Sequence, residues 1–207
     1  MYLIKNDLKV PELKTRFPDL IESFITTDAL KQKRKVNVFA EEDNWISIKE
    51  IKEKFSSGID ARSMAWIFNR GLATLGVLHG LGIRHVAINP SNFFIDTQNH
   101  NIKITNFCFA SSGENLSLID IRYKNLYPPE IFQKLVFFST DLYMLTDLVQ
   151  NITKEIPDKI RVFFRSLKIL NPNRRPNDCF EVLDNFKNIL KELYGEPKWF
   201  EFDKNVS

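Results

Sequence analysis

One stretch, ARSMAWIFNRGLATLGVLHGLG at residues 61–82, constrains the fold of this chain more than any other. Met64, Phe68, Leu72, Leu75 and Leu78 recur at helical spacing and line one face of a long helix. Asp60 stands where a carboxylate accepts the first free backbone N–H groups of that helix. Gly80 and Gly82 follow the last apolar position and end it, since glycine tolerates left-handed backbone. So broad an apolar face must be covered by other elements, and the chain has to supply them on both sides of it.

Upstream, PDLIESFITTD and KVNVFAEED alternate apolar and polar residues. They predict a hairpin whose solvated loop is the basic run KQKRK, with a partly helical course for residues 18–24 as the alternative. Residues 47–55 predict a short helix. Downstream, FFID (93–96) and IKIT (102–105) flank the polar TQNHN and predict a second hairpin. Residues 106–132 have little periodicity; so long an irregular connection is usually functional or packed by specific anchors. Leu142, Leu145, Leu148 and Val149 predict a helix over residues 141–152. Pro157 opens another, with a core face of Ile160, Phe163, Phe164, Leu167 and Leu170. NPNRRPND is a turn, and a last helix carries Val182, Leu183, Phe186, Ile189, Leu190 and Leu193 before stopping at Gly195. The order predicts an α+β fold, a mainly helical body with a small β-hairpin on its face. Trp45, Phe137, Phe138, Trp199 and Phe200 lie near segment ends, where exposed aromatics would mark a docking surface, although core packing is commoner for such residues.

At 207 residues, 43% hydrophobic and 27% charged, the chain is sized for one domain, or one with a small appendage. Lys and Arg total 29 against 26 Asp and Glu, and no aromatic residue interleaves with the basic run. Both facts argue against a nucleic-acid partner. Cys108 and Cys179 form no CxxC and have no paired histidine ligands, so both read as buried free thiols. The start, MYLIKNDLKV, has charges where a signal peptide needs an apolar run, and no stretch reaches the length of a membrane span. The expected setting is a reducing cytoplasm, with no membrane partner.

From Leu78 onward the motifs resemble, in order and spacing, the C-terminal lobe of a protein kinase. LHGLGIRHVAINPSNFFID is similar to the end of the long kinase helix and the catalytic loop HRDLKPxN. IKITNFCFA looks like the strand leading into DFG, PPE at residues 128–130 stands where APE closes the activation segment, and DLYML resembles the start of the buried central helix. NPNRRP resembles the motif before the final helix. The resemblance covers residues 40–195. It implies a reduced N-lobe remnant at residues 1–43 with two strands, a kinase-like C-lobe at 44–195 and a tail at 196–207. A narrower likeness, to small phage and bacterial kinase-like proteins, rests on His-x-Ala and a YGxxxF-like tail at Tyr194, Gly195 and Phe200.

Against that pattern the acids and bases are missing. The position of the kinase Asp that handles the substrate hydroxyl proton is Ala87. The Lys two places on is Asn89, the DFG Asp is Asn106 and the DFG Gly is Cys108. Asn92 matches the Asn that helps hold a second Mg²⁺, so Asn92 and Asn106 are at most a vestigial ATP/Mg site. No G-x-G-x-x-G and no V-A-I-K-like stretch occurs, and the segment between residues 152 and 157 omits a helix and loop that kinases usually have. What persists is architectural: Glu130 and Arg175 match a buried ion pair, Asp141 an acceptor of catalytic-loop N–H groups, and His85 and Phe107 apolar-spine positions.

The resemblance therefore implies a pseudokinase, a protein-binding or regulatory scaffold with no expected cofactor and weak or absent ATP/Mg binding. Two other readings stay open at this point. One is an atypical serine/threonine kinase-like transferase using Asn92, Asn106 and Asp96, with Asp120 as a mobile substitute base on a solvated loop. The other is a nucleotide sensor without turnover. No partner is named by the sequence.

Overall fold

The computed structural model describes residues 11–40, 44–199 and 202. In chain order the elements are α1 (Pro11–Lys14), β1 (Leu20–Thr27), β2 (Lys33–Phe39), β3 (Trp45–Ser47), α2 (Ile48–Lys54), α3 (Ala61–Gly80), β4 (Phe93–Asp96), β5 (Asn101–Ile104), α4 (Phe138–Gln150), α5 (Asp158–Leu167) and α6 (Cys179–Tyr194). The described residues form an α+β fold with two small antiparallel sheets, β1–β2 and β3–β4–β5.

Helix α3 is the central element, packed against α4, α6 and β5. The Asp60 carboxylate caps its start, accepting the N–H groups of Arg62 at 2.8 Å and Ser63 at 3.0 Å. Phe68 is fully buried and meets Phe164 and Phe186 edge-on, each at 4.9 Å between ring centres. Gly71 lets α4 come close: a Cβ there would lie 2.8 Å from Leu145 Cδ1. The helix runs through Gly80, and Gly82 then takes the left-handed backbone (φ +73°) that turns the chain away.

Several boundaries differ from those the sequence suggests. The first hairpin forms as expected, with Leu20–Thr27 a strand in place of the helical alternative, but the basic run extends into β2 through Lys33, Arg34 and Lys35. Strand β3 was not foreseen: it has three residues and leads directly into the Ser47 cap of α2, too short for any alternation to show. It joins β4, with Ile46 opposite Ile95. Helix α4 begins at Phe138, ahead of the expected Asp141, because the Thr140 hydroxyl accepts the Phe137 N–H at 3.0 Å. Helix α5 ends at Leu167, so Leu170 lies outside it and is 68% exposed. Cys179 is a buried free thiol as expected, whereas Cys108 is exposed.

The terminal aromatics pack on the α3 surface. Phe202 is buried edge-on to Phe55 and Trp66, and Trp199 stacks on His100 while remaining 67% exposed. Phe200 lies outside the described residues. Trp45, Phe137 and Phe138 are half-buried, with Lys103 over the Trp45 ring and Arg84 over the Phe138 ring.

A buried ion pair ties the irregular segment to the helical base. Glu130 sits in the 3₁₀ turn Pro129–Gln133, and Arg175 follows the turn Pro172–Arg174. Their contact is bidentate at 2.8 and 2.7 Å. The guanidinium also donates to the carbonyls of Ile169, Leu170 and Ser139, which uses its full set of donors. The Thr140 hydroxyl donates to the Glu130 carboxylate at 2.9 Å.

Removing one partner would leave the other as an uncompensated buried charge. Arg175→Met is therefore expected to lower the free energy of unfolding by about 3–5 kcal/mol, and Glu130→Met by a similar amount. The double variant should recover part of the loss. Denaturant unfolding checks this; strictly additive losses would contradict it.

Candidate functional site

The loop between α3 and β4 is fixed from below by α4. Asp141 is fully buried, and its two oxygens accept the backbone N–H groups of His85 (2.7 Å) and Val86 (2.8 Å). His79 Nε2 adds a third contact to the same carboxylate at 3.0 Å. Burial pushes the Asp141 carboxyl up. The hydrogen bond and charge of His79, the neighbouring His85 and the Val86 N–H outweigh it and hold the group below its ordinary value. Burial, with Asp141 and Asp178 nearby, pushes the Cys179 thiol well up, so it keeps its proton. Its sulfur lies 3.3 Å from His79 Nδ1. Val86 has φ +62°, a left-handed conformation that costs a β-branched residue about 1–3 kcal/mol and persists only where its surroundings enforce it. The paired N–H contacts to Asp141 enforce it here.

His85 is locked as a neutral ring. Nε2–H donates to the Thr105 carbonyl at 2.9 Å, and Nδ1 accepts the Ala87 N–H at 3.3 Å. Burial lowers its pKa further than Asp141 and the Thr105 carbonyl raise it. The ring meets Phe107 edge-on at 4.6 Å, and Phe107 in turn meets the buried Phe17 at 6.1 Å. Phe17 extends this column from the N-terminal segment. Sequence reasoning missed it, because the adjacent Pro18 and the polar stretch around it hide any periodicity.

Three of the positions singled out in the sequence for their departures, Ala87, Asn89 and Asn106, come together with Asn92 on this frame. Ala87 is fully buried and its carbonyl accepts Asn92 Nδ2 at 3.0 Å. Asn89 is also fully buried; its Oδ1 accepts the Ser91 N–H at 3.0 Å and its Nδ2 has no partner among the described residues. Asn106, with φ +59°, directs Nδ2 at Asn92 Oδ1, 3.3 Å away. The backbone of the loop joins the sheet through Thr105 N–H to the Asn92 carbonyl at 2.9 Å. The two amides that the resemblance assigns to a cation site are therefore bonded to one another, and neither carries charge. Among the described residues no group of three or more His, Cys, Asp and Glu side chains could hold a metal.

Both carboxylates considered as substitutes are committed elsewhere. Asp96 accepts the N–H groups of Gln98 and Asn99 and the Asn99 amide, so it shapes the β4–β5 turn. Asp120 corrects the expectation of a solvated loop: it is only 4% exposed. Arg122 grips it with two bonds at 2.8 and 2.7 Å, and the Asp120 N–H donates to the Tyr127 hydroxyl at 3.0 Å. The Arg122 hydrogen bonds lower its pKa against the effect of burial, so it is a fixed anion and a poor base. On the other side of the loop, the Ser91 and Tyr123 hydroxyls bond to each other. A cavity of about 240 Å³ adjoins them, lined by Lys52, Pro90, Arg122, Tyr123, Leu148 and Asn151 among others.

Comparison of the chain with protein-family models and with curated proteins gave no match. No helix among the described residues is long and apolar enough to cross a membrane.

His85 and Asp141 both bind protons less readily folded than unfolded, so each makes stability fall as the pH drops. The His85 contribution is complete above the ordinary imidazole value of 6.5 and declines below it. The Asp141 contribution is complete above the ordinary carboxylate value of 3.8 and is lost as the pH falls through its lower folded value. Unfolding midpoints measured from about pH 8 to about pH 3 should show both limbs. His85→Phe should flatten the first limb. Asp141→Asn should cost about 3 kcal/mol or more at neutral pH and flatten the second. A variant whose pH slope matches that of the parent would contradict the assignment for that residue.

Proposed function

We propose that this chain is a kinase-like C-terminal lobe acting as a pseudokinase, a module that recognises another protein without transferring phosphate. The observation that carries this reading is Ala87. Where the resemblance expects a proton-accepting carboxylate stands a methyl group, fully buried, with its backbone N–H and carbonyl bonded to His85 and Asn92. General-base assistance is worth about 10²–10⁴ in rate. The neutral amides of Asn89 and Asn106 remove further charge from the places where phosphate and metal would sit. The framework around them argues against loss by decay, because Asp141, His85, Phe107 and the Glu130–Arg175 pair remain fully bonded and packed.

Protein binding is supported by the segment between β5 and α4. Leu118, Ile121 and Phe132 stand 65%, 67% and 60% exposed along it. Where such side chains form a contiguous patch they mark an interaction surface.

Thermal unfolding of the full chain with ATP, with and without Mg²⁺ or Mn²⁺, tests the proposal alongside a labelled-phosphate transfer assay. A ligand that binds only the folded state adds about 2.7 kcal/mol at a hundredfold excess over its Kd, which is readily seen as a shift. The expected result is no metal-dependent shift and no transfer. A metal-dependent shift accompanied by labelled product would overturn the proposal. A metal-independent shift without product would instead favour nucleotide sensing.

A further inference from the structure

The β1–β2 hairpin presents a long apolar strand that no described element covers. Seven of the eight residues of β1 are exposed, and β2 is exposed except at Val36. Ile21 is 68% exposed, Ile25 71%, Phe24 41% and Val38 38%. Opposed residues of an antiparallel pair share a face, so Phe24 with Val36 marks one face and Ile25 with Lys35 the other. Apolar groups thus lie on both faces, and an isolated two-stranded hairpin is marginally stable in water.

The two edges of this hairpin differ in charge. The β2 edge carries Lys33, Arg34 and Lys35, and charged edges of this kind block pairing with a like edge. The β1 edge reads LIESFITT, with Glu22 as its one charge and β-branched or aromatic residues at most other positions. A register shift between Leu20 and Glu22 breaks the strand at its start; from Ser23 to Thr27 it has none of the charges, prolines or bulges that keep an edge strand single.

We propose that two copies of this chain join antiparallel along β1, about a two-fold axis, into one four-stranded sheet with the basic β2 strands outermost. Such pairing is isologous and self-complementary. An axis through Phe24 sets Phe24 against its own copy and Glu22 opposite Thr26, so no like charges oppose one another. Pairing through β2 would oppose lysines and arginines instead. The backbone groups of β1 that face away from β2 gain partners, and the apolar side chains of both copies extend each other's faces. This interface is independent of the proposed function: it uses no residue of the α3–β4 loop.

Sedimentation velocity of the full chain across a concentration series tests it. The expected result is a monomer–dimer equilibrium. Phe24→Lys and Ile25→Lys place charge on each face of the shared strand, and each should raise the dimer Kd by roughly tenfold or more while leaving the melting temperature of the monomer close to the parent's. Lys33→Glu on the opposite edge should leave the equilibrium unchanged. A chain that stays monomeric throughout the series would overturn the proposal. So would a dimer indifferent to both lysine variants, or one abolished by Lys33→Glu. Slow amide exchange over β1 in a monomeric chain would mean that another segment of the same chain lies on that edge, which also overturns it.

Discussion

The carboxylate of Asp141 is the constraint on which the rest of the site depends. A fully buried anion is unfavourable unless its oxygens are occupied, and here they are occupied by two consecutive backbone N–H groups and an imidazole. Those N–H groups are what bend the chain through the left-handed Val86. Everything beyond follows from that bend: His85 turns inward to Thr105 and Phe107, Ala87 faces Asn92, and Asn92 reaches Asn106. The loop's shape is thus set by helix α4 from below and by the β4–β5 sheet from the side.

The same economy of charge holds at the other end of the irregular segment. Arg175 and Glu130 satisfy each other and four further groups, so neither is stranded in a low-dielectric interior. Asp120 and Arg122 form a third closed pair between these two anchors. Asp141, Glu130, Asp120 and Asp96 are all in structural use. Recognition needs a fixed shape, and this arrangement supplies one; phosphoryl transfer needs positioned charge, which the proposed reading finds absent.

Much of the helical body was legible in the sequence because its periodicity is strong and its caps are explicit. Asp60, Ser47 and Gly195 mark helix ends by their own chemistry, and the apolar face of α3 leaves no alternative. The β4–β5 hairpin was legible for the same reason, two short apolar runs around a polar turn. What was hidden depends on contacts distant in sequence. Strand β3 exists because β4 pairs with it, and Phe17 is in the ring column because Phe107 folds back to it. Asp120 is buried because Tyr127 and Arg122 enclose it, which no local pattern announces. Motif order also placed the departures at Ala87, Asn89 and Asn106, but the mutual bonding of Asn92 and Asn106 could be seen only in three dimensions.

The central claim is that the space beside the α3–β4 loop holds shape and lacks the charge to seat a metal-bound phosphate. Crystals grown with excess Mn²⁺ and a non-hydrolysable ATP analogue test it most directly, because manganese reveals itself by anomalous scattering. The account predicts that the Asn106–Asn92 hydrogen bond is retained, with no anomalous peak within coordination distance of either amide. A manganese ion ligated by Asn92 and Asn106, with phosphate oxygens completing its shell, would contradict it.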